Sequence, residues 1–221
     1  LNLSYCESLQ NVDGLVNCTN LTTINLKGCS SLQNVDGLAY LTKITNLDLQ
    51  YSNFTTIPSG LDLLPNLKSL NLQSCYSLKN VGGLANLTKL KSLDLSCYKW
   101  SSTQDVLQNI NGLESLKSLT SLDLSGRDSL QNIDGIANLT ELTNLDLDSC
   151  NSLQNLDALT NCINVTTLNL YGCSSLQQVN ALSKLTKLNS LNLRSCGSLQ
   201  VQYITSNMTT YEQVSAYQDK I

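Results

Sequence analysis

The sequence predicts an α/β-type repeat solenoid, and three observations support this fold class. A unit such as residues 21–43 recurs along the chain, each copy contains an alternating L-x-L stretch, and a glycine follows at a nearly constant offset. Successive copies start 23 residues apart, except for one interval of 29, and a fixed period of this size is typical of solenoids. The copies begin at Leu21, Ile44, Leu67, Leu90, Leu119, Leu142, Val165 and Leu188.

Each repeat predicts the same elements in the same order. The L-x-L stretch is a short strand whose leucines face the core, and stacked repeats place these strands in a parallel sheet on the concave face. The V-D-G-L stretch forms an outer corner, where glycine permits backbone angles that a side chain resists. The following A-N-L-T stretch is too short for an α-helix, so we expect an extended or 3-10 outer face. The corner glycines are Gly14, Gly37, Gly60, Gly83, Gly112 and Gly135.

The repeat pattern also predicts where the array is interrupted and where it ends. We expect a repeat array of about nine repeats over residues 1–199 and a cap or tail over residues 200–221. The fifth repeat has a six-residue insertion within residues 98–106. Thr209 and Glu212 have the spacing of a capping box, which favours a short amphipathic capping helix over a disordered tail. Leu1 matches the fourth repeat position, which suggests a trimmed product whose bare edge strand is a possible site of head-to-tail self-association.

The composition argues against several classes of function. Charged residues make up 14% of the chain and the net charge is −4, so we expect no binding to nucleic acid or anionic lipid. The sequence lacks the run of about 18 apolar residues that a membrane span needs. It also contains no histidine, which excludes Ser–His and Cys–His catalytic pairs. We therefore predict a protein that is not an enzyme and needs no cofactor.

Nine cysteines occur in the chain, and most of them follow the repeat. We interpret them as buried free thiols that pack like small apolar side chains. Disulfides between neighbouring repeats are an alternative, but side chains that run parallel into the core disfavour them. The chain has no C-x-x-C pair, so a zinc site is not expected. The ninth repeat position holds Cys6, Cys29, Cys75, Cys150, Cys173 and Cys196.

The consensus L-x-x-L-x-L-x-x-C-x-S-L-x-x-V-x-G-L-x-x-L-x-x resembles the leucine-rich repeat family. Residues 168–176 (LNLYGCSSL) are similar to plant immune-receptor repeats, and residues 84–90 (LANLTKL) are similar to internalin-type bacterial surface repeats. Internalins have asparagine at the cysteine position, and the plant repeats favour L-P-x-x-I over V-D-G-L. The resemblance implies a horseshoe-shaped scaffold that binds a partner, and it does not identify the ligand.

An acidic centre is expected on the sheet face. The fifth repeat position carries Asp94, Asp123 and Asp146 in the middle of the array, and Asp148 lies beside them. The simplest interpretation is a solvated ladder of Asn and Asp side chains that hydrogen-bond along the strands. A weaker alternative is a Ca²⁺ site made by these four carboxylates. The carboxylate spacing of a retaining glycosidase is also possible, but such an enzyme needs a shielded cleft that a regular solenoid face does not provide.

A partner-binding patch is predicted beside the insertion. Loops on a rigid scaffold often carry binding residues, and here an aromatic and charged cluster would follow one rim of the sheet. The alternative is that the Trp100 side chain covers the local core. The predicted patch consists of Tyr76, Tyr98, Lys99, Trp100, Arg127 and Asp128.

Asn-x-Ser/Thr motifs and a low charge density favour an extracellular or cell-surface location. We predict a non-catalytic recognition or adhesion scaffold that binds a protein or glycan partner. The alternatives are a structural subunit of a surface fibre and an intracellular sensor domain, the latter favoured by free cysteines. The predicted N-glycosylation sites are Asn17, Asn20, Asn53, Asn86, Asn138, Asn164 and Asn207.

Overall fold

The computed structural model describes residues 1–98 and 105–199, together with the backbone of residues 207–208. Within these ranges the strands form one open sheet in which each strand lies next to its sequence neighbour. The strands are β1 (Thr23–Asn25), β2 (Asn46–Asp48), β3 (Ser69–Asn71), β4 (Ser92–Asp94), β5 (Ser121–Asp123), β6 (Asn144–Asp146), β7 (Thr167–Asn169), β8 (Ser190–Asn192) and β9 (Asn207–Met208).

Strands β1 to β8 are parallel and pair in strict repeat register, which confirms the predicted solenoid. Leu47 of β2 lies opposite Leu70 of β3, its counterpart one repeat later. The register survives the insertion, because Asp94 of β4 still pairs with Asp123 of β5. The insertion between β4 and β5 therefore does not change the register of the two strands.

The sequence predicts an extended or 3-10 outer face, and the structure has the 3-10 form. Seven short 3-10 helices lie on the side opposite the sheet in the described ranges, and each contains three to five residues. None has the length or apolarity that crossing a membrane requires. The helices are Asp13–Leu15, Asp36–Tyr40, Leu61–Leu63, Gly82–Leu84, Asp134–Ile136, Asp157–Asn161 and Asn180–Lys184.

A single column of buried aliphatic side chains fills the space between the sheet and the outer face. The central leucine of each strand from β2 to β8 is buried, as is Ile24 of β1. Burial of apolar surface stabilises such stacks by roughly 25 cal/mol per Å². Because each repeat contributes to the same column, neighbouring repeats stabilise one another.

The outer-corner glycines have more than one physical reason: Gly60 and Gly112 have positive φ angles, as the sequence predicts, whereas close packing requires Gly37. Gly37 does not have a positive φ angle, contrary to the sequence-based expectation, but a Cβ atom there would lie 2.3 Å from the carbonyl oxygen of Val12. A left-handed backbone also recurs at the eighth repeat position, three residues after the strand. Serine or tyrosine occupies this position in several repeats, including Tyr51 with φ of 58°.

The two ends of the array differ. At the start, the backbone nitrogen of Leu3 donates a hydrogen bond to the carbonyl oxygen of Asn25 at 2.8 Å, which extends the parallel pattern beyond β1. At the other end, β9 pairs with β8 in the antiparallel direction. The residues proposed to form a capping helix, including Thr209 and Glu212, lie outside the described residues, so that helix remains a prediction.

Candidate functional site

Five of the six cysteines at the ninth repeat position form an internal hydrogen-bond ladder. The Cys150 thiol donates to the carbonyl oxygen of Leu124 at 3.3 Å, and the Cys173 thiol donates to that of Leu147 at 3.1 Å. In each case the acceptor belongs to the leucine after the strand in the preceding repeat. The same carbonyl oxygens also accept backbone N–H groups of their own repeats, from Arg127 at 3.2 Å and from Cys150 at 3.1 Å, so each thiol is a second donor to a buried carbonyl.

Burial makes most of these thiols unreactive. It raises the pKa of Cys75 to about 12 and the pKa values of Cys162 and Cys196 to about 11. Among the nine cysteines, which all lie in the described ranges, only Cys6 and Cys18 are exposed. No disulfide links any of them.

Thiol labelling of the folded chain should therefore stop at two equivalents. The thiolate is the form that attacks a disulfide reagent, and it is scarce at pH 8 for a buried cysteine whose pKa is raised. We expect Cys6 and Cys18 to react within minutes and the others to react only after unfolding. The variant Cys6→Ser/Cys18→Ser should show no fast labelling with Ellman's reagent. If the folded parent chain rapidly released more than two equivalents of thionitrobenzoate, the result would contradict the buried cysteine ladder.

The structure corrects the prediction for Arg127, which is fully buried and does not belong to a surface patch. Its side chain has 0% exposure, and Nη1 lies 2.8 Å from the Oδ1 atom of Asp105. Its Nε atom donates to the carbonyl oxygen of Leu95. Leu95 is the sixth-position leucine of the preceding repeat, so Arg127 replaces the cysteine of other repeats at the same acceptor.

Asp105 is a structural residue that the sequence interpretation missed. Besides Arg127, its Oδ2 atom accepts a hydrogen bond from the backbone nitrogen of Ser129 at 3.1 Å, and its carbonyl oxygen accepts one from the Ser129 hydroxyl at 2.7 Å. These contacts tie the end of the inserted segment to the next repeat. The sequence contains one sign of this pair. An arginine stands where other repeats have a cysteine, and the insertion in the preceding repeat contains one carboxylate.

The remaining residues of the predicted patch lie at the rim, which is the edge of the sheet formed by the turns after the strands. The Tyr76 hydroxyl donates to the carbonyl oxygen of Tyr98 at 2.8 Å, and the Tyr98 side chain is 48% exposed. Tyr98 and Asp128 line a shallow pocket of about 400 Å³ that also contains Asp148 and Asn151. We call Tyr76, Tyr98 and Asp128 the rim patch. Lys99 and Trp100 lie outside the described residues.

The aspartates of the sheet face cap their own strands. Asp94 accepts a hydrogen bond from the backbone nitrogen of Ser96 at 2.9 Å, and Asp146 accepts one from that of Asp148 at the same distance. Asparagine performs the same role in other repeats, as Asn71 does for Gln73 at 2.9 Å. In the described part of the chain no three acidic or cysteine side chains form a group that could hold a metal ion.

The structure thus does not support the calcium site considered for Asp94, Asp123, Asp146 and Asp148. Asp94, Asp123 and Asp146 lie in register on consecutive strands and so form a row across the sheet, whereas a calcium ion needs six to eight oxygen ligands that converge on one point. The side chains instead accept hydrogen bonds from the turn that follows each strand. The acidic column is therefore a capping ladder.

Burial, together with neighbouring carboxylates, disfavours the charged forms of Asp123 and Asp146. Burial is the main cause that raises the pKa of Asp123, and the neighbouring carboxylates of Asp94 and Asp146 add to it. The pKa of Asp146 is raised as well, again mainly by burial. The folded chain therefore binds these protons more tightly than the unfolded chain does.

Asp123→Asn should stabilise the chain at neutral pH. Protonation of Asp123 favours the fold at low pH, and this contribution is lost as the pH rises from the ordinary carboxyl pKa through the raised one. At pH 7 the variant should gain on the order of 0.5 kcal/mol, because an asparagine oxygen can still cap the strand without the charge. The gain should shrink near pH 4, as urea unfolding at both pH values would reveal.

Asn71→Asp is the matched control, since it lengthens the acidic column instead of interrupting it. We expect this variant to be less stable than the parent chain at pH 7 and closer to it at pH 4. A loss of stability in Asp123→Asn that does not depend on pH would contradict the electrostatic explanation.

The asparagines of the predicted glycosylation sites fall into two groups. Asn17, Asn86 and Asn138 are exposed on the outer face. By contrast, the Nδ2 atom of Asn53 donates to the carbonyl oxygen of Ser30, and that of Asn164 donates to the carbonyl oxygen of Thr140 at 2.8 Å. Nδ2 is the atom that a glycan modifies, so this second group is less accessible.

Asn20 and Asn207 complete this set of sites. The Oδ1 atom of exposed Asn20 accepts a hydrogen bond from the Lys43 ammonium at 2.7 Å, a contact that leaves its Nδ2 atom unused. For Asn207 only the backbone in β9 is described.

Comparison with solved structures reveals the same fold in proteins of different origin. Internalin C2 from Listeria monocytogenes matches with a TM-score of 0.68 and 23% identity, over 89% of this chain and 80% of that chain. The leucine-rich repeat domain of the type III effector XopL matches with a TM-score of 0.68 and 21% identity, over 86% and 66% of the two chains. A chain of the Drosophila Toll–Spätzle complex matches with a TM-score of 0.60 and 23% identity, over 86% of this chain and 29% of that chain.

The sequence itself matches a family model along nearly its whole length. Six copies of the BspA type leucine rich repeat region are found over residues 3–106 and 94–220. No curated protein matches the chain significantly. The stacked register, the buried leucine column and this family match lead to one conclusion: the chain belongs to the BspA-type leucine-rich repeat family.

Proposed function

We propose that this chain is a non-catalytic recognition module, displayed outside the cell, that binds a protein or glycan partner through the rim patch. Leucine-rich repeat proteins are typically protein-binding scaffolds, which supports the general role. One of the similar structures, the Toll–Spätzle complex, contains a second protein bound to its repeat protein. The extracellular location and the position of the binding site are our proposals for this chain.

The observation that carries the proposal is the exposed Tyr98 beside an acidic pocket at the insertion. Tyrosine contributes strongly to interfaces because it buries a large rigid ring and also offers a hydroxyl. Here the Tyr98 ring lies beside the carboxylates of Asp128 and Asp148 around a pocket of about 400 Å³. This combination suits a partner that inserts a basic or hydrogen-bonding group next to an apolar contact.

Capture of cell-surface partners can test the rim patch. Immobilised chain would be incubated with surface-biotinylated cells and with a glycan array, and the captured molecules would be quantified against the variant Tyr98→Ser/Asp128→Asn. We expect the parent chain to capture the partner, and we expect the captured amount to fall about tenfold or more with the variant. Tyr5→Ser is the control, because Tyr5 is an exposed tyrosine in the first repeat, away from the pocket.

Three results would distinguish the possibilities. Equal capture by the parent chain and the rim variant would contradict the rim patch as the binding site. Loss of capture in Tyr5→Ser alone would move the site to the first repeat. Binding on the glycan array that depends on Tyr98 would identify the partner class as carbohydrate.

The extracellular location can be tested by mass spectrometry of the native protein. We expect an intact mass above the 24.1 kDa of the bare chain and a loss of that excess after enzymatic N-glycan removal. The exposed sites Asn17, Asn86 and Asn138 should account for most of it, so changing all three to glutamine should remove most of the glycan. A mass equal to the bare chain would instead favour a bacterial surface protein or an intracellular sensor.

A further inference from the structure

The outer face carries an apolar groove that is distinct from the rim patch. It lies across the first three repeats and has a volume of about 660 Å³. Tyr40 and Leu63 line it, and their side chains are 66% and 58% exposed. Large apolar side chains that remain exposed side by side often mark an interaction site.

The sequence pattern indicates that this exposure is a local departure from the repeat. Tyr40 and Leu63 occupy the twentieth repeat position, which is apolar only in these two adjacent copies among the first eight. Their apolar side chains therefore lie on consecutive turns of the stack and form one continuous surface. The other residues at this position are Asn17, Asn86, Ser115, Asn138, Asn161 and Lys184.

Carboxylates surround the groove, and no basic side chain lines it. Asp13, Asp36 and Asp62 are exposed along its length. Asp36 accepts a hydrogen bond from the Ser59 hydroxyl at 2.6 Å, while Asp13 and Asp62 belong to no ion pair within the described ranges. The groove therefore combines an apolar floor with a negative potential.

We propose that this groove docks a short cationic segment of a partner protein that carries one or two apolar side chains. The apolar groups would pack between Tyr40 and Leu63, and lysine or arginine side chains would pair with Asp13 and Asp62. The Tyr40 ring offers a cation–π contact as well. Three repeats span about 10 Å, which a few extended residues or about two turns of helix can cover.

A titration with a defined peptide tests this docking site. The ¹⁵N-labelled chain would be titrated with a capped octapeptide in which leucine and lysine alternate, and backbone amide shifts would be followed by NMR. We expect saturable shifts confined to residues 13–16, 36–40 and 59–63. The variant Tyr40→Ser/Leu63→Ser should weaken binding by about tenfold, and Asp13→Asn/Asp62→Asn should weaken it and reduce its salt dependence.

Matched controls distinguish binding in the groove from nonspecific hydrophobic or electrostatic binding elsewhere on the chain. Ile163→Ser should leave binding unchanged, because Ile163 is an equally exposed apolar residue outside the groove, at 50% exposure. An octapeptide with glutamate in place of lysine should not bind. Shifts spread over all acidic surfaces, or equal binding of the glutamate peptide, would overturn the proposal. Concentration-dependent dimerisation that Tyr40→Ser/Leu63→Ser abolishes would also overturn it, since it would assign the groove to a second copy of the chain.

Discussion

Replacing Arg127 by alanine should lower the free energy of unfolding by about 3–5 kcal/mol. The change leaves the buried carboxylate of Asp105 without its cation, and it removes the donor that the Leu95 carbonyl oxygen accepts from. A buried charge without a partner is far more costly than the loss of an exposed ion pair. Urea unfolding followed by far-UV circular dichroism would measure the effect.

A double-mutant cycle would show whether the cost arises from the pair. The variant Arg127→Cys/Asp105→Ala removes both charges and restores the residue that other repeats use to reach the same carbonyl. We expect it to lose much less stability than the sum of Arg127→Cys and Asp105→Ala, since neither buried charge remains. Additive losses, or a cost below about 1 kcal/mol for Arg127→Ala, would show that the ion pair does not hold the insertion in place.

Leu122→Ala should lower the free energy of unfolding by about 2–5 kcal/mol. Leu122 is the central residue of β5 and is almost completely buried between neighbouring repeats. Truncation leaves a cavity that the strands on either side cannot fill without breaking their register. Its matched control is Leu1→Ala, which changes the same repeat position at the edge of the array, where the side chain is 46% exposed.

We expect the control to cost less than about 1 kcal/mol, because little apolar surface is lost from the core. The comparison holds the residue type and the repeat position constant and varies only burial. If the two variants lost similar amounts of unfolding free energy in urea, the difference in burial between Leu122 and Leu1 would not explain their contributions to stability.

The fold was accessible from sequence because each of its elements depends on local pattern. An alternating leucine pair specifies a strand with one buried face, and a constant spacing specifies parallel register, as the pairing of Leu47 with Leu70 illustrates. The short stretch between Gly37 and Leu41 has too few residues for an α-helix, which left an extended or a 3-10 segment, and the structure forms the 3-10 segment. Repetition strengthened every one of these inferences.

The candidate sites were predicted less completely because they depend on contacts across repeats. Tyr98 and Asp128 were placed correctly at one rim, since both follow a strand at nearly the same repeat position. Arg127 was placed wrongly, because arginine is usually exposed and only the fold brings Asp105 within 2.8 Å of it. The insertion breaks the period there, so the period gives no guide to the partner.

Two further features show the same division between local pattern and assembled structure. The period alone predicts that Tyr40 and Leu63 are neighbours, but their exposure follows from how the 3-10 segments pack on one another. Likewise, Gly37 is marked by its recurrence, while the reason for it is the carbonyl oxygen of Val12 in the preceding repeat. Spacing along the chain specifies which residues align, and packing between repeats specifies which of them are buried, charged or free to bind.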